Sequence, residues 1–100
     1  MGHRVVVCYG EPTDPAAFDE YYQQTHIPIA KQIPGLSEIV WGKCSSLDGS
    51  QPPYYAVAHM RFPTAEALQT ALASEEMRRA GKDVANFATG GVTMFTQDER

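Results

Sequence analysis

The side chains best suited to moving protons near neutral pH are the three histidines, His3, His26 and His59, because an unperturbed imidazole titrates at about 6.5. His26 is the strongest catalytic candidate among them. It lies four residues after Tyr22 and two before Pro28, so it should sit near the end of a helix with an aromatic partner on the same face. The bland alternative is that it caps free carbonyls there and favours the helix dipole. Tyr22 could give His26 a phenol hydrogen bond or contact a ligand, whereas Tyr21 should lie further round the helix and reads as a filler between helix and sheet. His59 falls mid-strand in a row with Tyr55, Val57 and Arg61. It reads either as a second polar group in a pocket beside His26 or as a satisfied interface histidine. Trp41 offers a flat wall for an aromatic or polyketide-like ligand, or else is core. Tyr22, Trp41 and His59 are therefore the candidate substrate-binding residues.

Other chemistries are not expected. The histidines show no HxH or HExxH spacing and no accompanying carboxylate cluster, so no metal is predicted. Gly90-Gly91 lacks the context of a phosphate-binding loop, so no nucleotide or other cofactor is predicted. Cys8 and Cys44 are far apart in strand-like stretches and read as small hydrophobes, with no disulfide. The net charge of −4, with the eight basic residues scattered, argues against nucleic acid and anionic membrane as partners. The apolar run Val5 to Cys8 is far too short for a signal core or membrane span, which points to the cytoplasm.

The elements that must hold these residues follow from local patterns. His3 to Tyr9 is rich in β-branched residues and closes on a Gly-Glu-Pro turn, which predicts a strand. Asp14-Pro15 predicts a helix start, and Phe18, Tyr21, Tyr22, Thr25 and Ile29 line one helical face. Pro28 should push Ile27 off helical angles and break or bend the helix near Thr25 and His26. Leu36 to Cys44 and Tyr54 to Phe62 read as strands joined by a loop over Ser45 to Pro53. Pro63-Thr64 opens a second helix with Leu68, Ala71 and Leu72 on its apolar stripe. Ser74 caps another piece carrying Met77, Ala80, Val84 and Phe87. Val92 to Thr96 is the last strand, and Asp98 to Arg100 a frayed tail.

The order strand, helix, strand, strand, helix, strand predicts an α+β, ferredoxin-like βαββαβ fold with an antiparallel sheet, occupying residues 1–100 as one domain. Strand one is apolar on both sides, with Val5 and Val7 on one and Val6 and Cys8 on the other. Two helices cover only one face, so a second copy is expected on the other, giving a homodimer.

Tyr21 to Leu36, YYQQTHIPIAKQIPGL, resembles the signature of the EthD family, named for ethyl tert-butyl ether degradation. The likeness combines the aromatic pair, Thr25-His26, Pro28, Ala30-Lys31 and the Pro34-Gly35-Leu36 turn, with Ile29 where leucine is commoner. Asn86 to Val92, NFATGGV, is similar to the family's entry into its last strand. The resemblance implies a dimeric α/β barrel. It implies for function either a cofactor-independent enzyme of isomerase, dehydratase/cyclase or oxygenase type, acting by proton transfer on a small aromatic or polyketide-like molecule, or an oxidoreductase-linked accessory in ether degradation. The other open reading is a small-ligand binding protein without turnover, with His26 and Tyr22 as anchors.

Overall fold

A computed structural model describes the chain from Gly2 to Arg100. Strand β1 spans His3–Tyr9, β2 Glu38–Lys43, β3 Ala56–Phe62 and β4 Val92–Asp98. They form one antiparallel sheet in the order β2-β3-β1-β4. The helices are α1 (Pro15–Tyr21), α2 (Ile27–Ala30), α3 (Ala65–Leu72) and α4 (Glu75–Asp83), with a π-helical turn over Tyr22–His26 joining α1 to α2 and a 3₁₀ turn over Val84–Asn86 after α4. This is the expected ferredoxin-like order.

Strand alternation divides the sheet into two different faces. Val5, Val7 and Tyr9 of β1, with Ala56, Ala58, Met60 and Phe62 of β3, enter the core beneath the helices, where Phe18, Tyr22, Leu68, Ala71, Ala80, Val84 and Phe87 meet them. Val6 and Cys8 project from the opposite face. Each is only 5% exposed although no helix lies over it, because β3 and β4 flank β1 and set Val57, His59, Thr93 and Phe95 beside it. Toward the edges of that face the shielding fails: Val40 is 49% exposed and Phe95 48%. An apolar area on an uncovered sheet face is what the two-sided strand implied.

Helix starts follow the capping rules. Asp14, Thr64 and Ser74 each accept a backbone N–H three residues on, from Ala17, Ala67 and Met77, satisfying donors that have no partner within the helix. The return from α4 to β4 depends on a close backbone crossing. A Cβ on Gly10 would stand 2.2 Å from the Gly90 carbonyl oxygen, so only a hydrogen at that position lets the turns meet.

Two local expectations need correction. Ile27 keeps helical angles, φ −59° and ψ −45°, so Pro28 does not break the helix. The helical path runs from Pro15 to Ala30, and the turn before the proline widens. The tail is not frayed from Asp98: β4 runs through that residue, and the Glu99 N–H donates to the Gly2 carbonyl at 2.8 Å.

Candidate functional site

The widened turn decides which side chains can meet. Residues five apart face away from each other on a regular α-helix, where neighbours on a face are three or four apart. In the π turn the Ile27 N–H reaches back five residues to the Tyr22 carbonyl, adding a residue to the turn. Pro28 has no N–H to hold the tighter pattern. His26 thereby swings back above Tyr21, and both converge on one carboxylate.

That carboxylate is Asp83, the last residue of α4. Its Oδ2 lies 2.8 Å from His26 Nδ1, its Oδ1 accepts the Tyr21 hydroxyl at 2.6 Å, and Asn86 Nδ2 donates to the same Oδ1 at 3.0 Å. Asp83 is 9% exposed and His26 5%. A buried charge at the negative end of a helix dipole is unfavourable twice over, and the three donors offset it. Burial alone would raise the Asp83 carboxyl, but the hydrogen bonds from Tyr21, His26 and Asn86 outweigh it and hold the group below its usual range. Burial pulls the His26 imidazole below its ordinary value, against the opposing pull of Asp83. At neutral pH the pair is thus a neutral imidazole donating Nδ1–H to an anionic carboxylate.

Both shifts have the same consequence for stability. A group whose pKa is lower in the folded protein binds protons better when unfolded, so acid favours unfolding. His26 should begin to withdraw its contribution as pH falls through 6.5 and Asp83 as it falls through 3.8. His59 is also lowered, by burial and then by Arg4 and Arg61, and acts in the same sense. Thermal melts should show a falling Tm between pH 7.5 and 5.5, with a shallower fall in His26→Asn; a flat profile would contradict this assignment of charge states.

His26 also lines a small cavity of about 40 Å³ between sheet and helices, with Val7, Tyr9, Tyr22, Ala30, Ile39, Ala58, Met60, Met77, Ala80, Gly81, Val84 and Met94 as its other walls. Asp83 is not among them. The carboxylate therefore lies outside the cavity wall that the ring helps to form, and the lining of the cavity is apolar. Burial keeps the two lining phenols neutral, Tyr22 being pushed up to about 12 and Tyr9 further. Forty cubic ångströms holds only a few waters, against roughly 150 Å³ for a benzene-sized guest. An aromatic ligand would have to displace side chains, and Met60, Met77 and Met94 are the flexible ones.

The residues singled out from sequence do not all assemble here. Tyr22 shares the site, but it gives His26 a ring face: the rings stack at 5.3 Å and 25°, in place of the expected phenol hydrogen bond. Trp41 packs edge-on against Tyr22, ring centroids 4.7 Å apart, behind the cavity wall. His59 is elsewhere. Ala58 and Met60 face the cavity, so strand alternation turns His59 to the uncovered face, where its Nδ1 is 3.5 Å from Arg4 Nη1. Tyr21, expected to be a filler, is a direct partner of Asp83. Asp83 and Asn86 were missed altogether, although a signal existed: Asp83 falls three residues after Ala80 and four before Phe87, a charge within an apolar helical stripe.

Among the described residues, no group of three or more His, Cys, Asp or Glu is placed to hold a metal ion, and no helix is long and apolar enough to cross a membrane.

Comparisons with known proteins agree with the fold. A family model described as the EthD domain matches residues 10–91. The chain is 48% identical over 97 residues, 97% of its own length and 94% of the relative's, to an uncharacterized 11.0 kDa protein from the thcB–thcC intergenic region of Rhodococcus erythropolis. The crystal structure of an ethyl tert-butyl ether degradation family protein from Bacillus halodurans is similar over the whole of both chains, at 30% identity and a TM-score of 0.91. A dimeric ferredoxin-like protein of unknown function from Jannaschia shares the fold at 22% identity and a TM-score of 0.70, over 99% of this chain and all of the other.

Proposed function

Since the chain belongs to the EthD family, and the matched span includes both His26 and Asp83, we propose that it is a cofactor-independent enzyme that moves a proton on a small aromatic or polyketide-like molecule. The observation that carries this reading is the 2.8 Å contact between His26 Nδ1 and Asp83 on a ring that also walls an apolar cavity. A proton fixed on Nδ1 leaves the Nε2 lone pair as a base. When it takes a proton from an acidic C–H, the imidazolium formed is stabilised by the carboxylate behind it. Such positioned acid–base chemistry is worth about 10²–10⁴-fold and suits isomerase, dehydratase/cyclase or oxygenase-type reactions, or an accessory step in ether degradation.

A second reading, a binding protein without turnover, is favoured by one feature: among the described residues that line the cavity, His26 is the single histidine and no carboxylate joins it. Incubating a panel of small aromatic and polyketide-like compounds with wild type and His26→Asn separates the two. The enzyme converts its ligand in a His26-dependent way, and a carrier returns it unchanged.

Gly81 bears on the same cavity. A Cβ there would meet nothing within 4 Å, and glycine inside a helix costs about 0.5–1 kcal/mol relative to alanine. Gly81→Ala should raise Tm by a few degrees while its methyl narrows the cavity rim and weakens ligand handling. A variant that is stabilised with ligand handling unchanged would remove Gly81 from the site.

The working form is proposed to be a cytoplasmic homodimer of a single domain, with the uncovered sheet faces in contact. The exposed Val40 and Phe95 on that face support it, as does the dimeric state of the Jannaschia relative. A stable contact needs about 800 Å² per partner, within reach of a four-stranded face. Light scattering should give twice the monomer mass for wild type and the monomer mass for Phe95→Asp; a wild-type monomer at micromolar concentration would overturn the dimer.

A further inference from the structure

The back of the dyad is built more elaborately than a buried carboxylate requires. One hydrogen bond from His26 would satisfy Asp83 Oδ2, yet Oδ1 is held by two further donors from different elements, Tyr21 at the end of α1 and Asn86 in the 3₁₀ turn after α4. These donors also approach each other, Asn86 Nδ2 lying 3.4 Å from the Tyr21 oxygen. Both line a second groove of about 180 Å³ that Asp83 does not reach, so they stand between it and the carboxylate. The π turn that brings Tyr21 into reach is a local departure from regular helix, and such departures are frequent at functional sites.

We infer that Tyr21 and Asn86 are positioning residues, which act through Asp83 to fix the His26 ring and to set how strongly it holds a proton. The inference rests on the reading of His26 as the base. A carboxylate that already accepts two strong hydrogen bonds has less charge to offer an imidazolium, so these donors weaken the base-strengthening pull of Asp83. They leave His26 neutral and unprotonated on Nε2. The Tyr21 phenol registers the same bond from its own side, since the Asp83 contact raises it. The titratable groups packed around His26 are Asp83 from α4, Tyr22 from its own helix and Tyr9 from β1. Both tyrosines stay neutral across the relevant range, leaving Asp83 as the group through which a change at Tyr21 must act.

The test is an NMR titration of the His26 ring in wild type, Tyr21→Phe and Asn86→Ala, with the melting temperature of each measured alongside. Tyr21→Phe keeps the ring that stacks on Phe87 at 5.6 Å, and Asn86 is exposed, so both variants should fold. In Tyr21→Phe the His26 midpoint should move up by about half a pH unit, roughly threefold in proton affinity, and in Asn86→Ala in the same direction by less. A merely structural role predicts lower melting temperatures with the midpoint unmoved, and that result would overturn the inference. The titration needs no substrate. A shifted midpoint in a protein that never turns over a ligand would leave this inference standing and remove only the catalytic reading.

Discussion

Asp83→Asn is expected to abolish proton transfer while preserving the shape of the site. The amide oxygen can still accept from Tyr21 and Asn86, as Oδ1 does now. The amide nitrogen then faces His26 Nδ1, and two donors cannot share that contact, so the imidazole proton must leave Nδ1 for Nε2. Nε2 becomes a donor and ceases to be a base. A wrong tautomer of this kind costs on the order of 10⁴-fold in rate in an enzyme with a carboxylate–histidine pair. Exchanging a charged hydrogen bond for a neutral one should also cost about 1–2 kcal/mol, or roughly 5–15 °C in Tm for a chain of this size. Nitrogen-15 spectra of the ring would report the tautomer directly. An Asp83→Asn protein that keeps the proton on Nδ1 and its full rate would show that the carboxylate has no part in the chemistry.

The largest stability effect should come from Tyr22→Ala. Tyr22 is 1% exposed, and its ring meets Tyr9, Phe18, Trp41, His26 and Phe87 at centroid distances between 4.7 and 5.4 Å. Truncating an aromatic at such a position costs about 3–5 kcal/mol, a large share of the 5–15 kcal/mol typical of a whole domain. Denaturant melts should show Tyr22→Ala largely unfolded or close to it at 25 °C, and Tyr22→Phe near wild type, because the ring packing survives. If Tyr22→Ala melted within a few degrees of wild type, the aromatic cluster would not be the centre of this core.

The fold was legible because its signals are local and consistent. Asp14-Pro15, Thr64 and Ser74 mark helix starts that the caps realise, and the valines of β1 announce a strand apolar on both faces. Half of the candidate site was legible too: His26 and Tyr22 stand out by residue type and spacing. The rest was hidden by two physical effects. Regular helical periodicity places Tyr21 away from His26, and only the π turn reverses that, so the same spacing rule that recommended Tyr22 dismissed the residue that bonds the carboxylate. Asp83 lies 57 positions from His26, and α-helical charges are ordinarily solvated; its place on the apolar stripe of α4 was the one available clue. His59 was drawn toward the pocket by its residue type, and strand alternation against Ala58 and Met60 was enough to place it on the other face.

Whether His26 Nε2 takes a proton from carbon is read out by hydrogen–deuterium exchange at carbon. Small aromatic and polyketide-like ketones with an acidic C–H should be incubated with the protein in heavy water and followed by mass spectrometry, beside His26→Asn and Asp83→Asn. Proton abstraction by His26 should let deuterium enter at one carbon of a bound compound with wild type and in neither variant. A compound that binds beside His26 and exchanges no carbon-bound hydrogen, or one that exchanges equally well in His26→Asn, would contradict it.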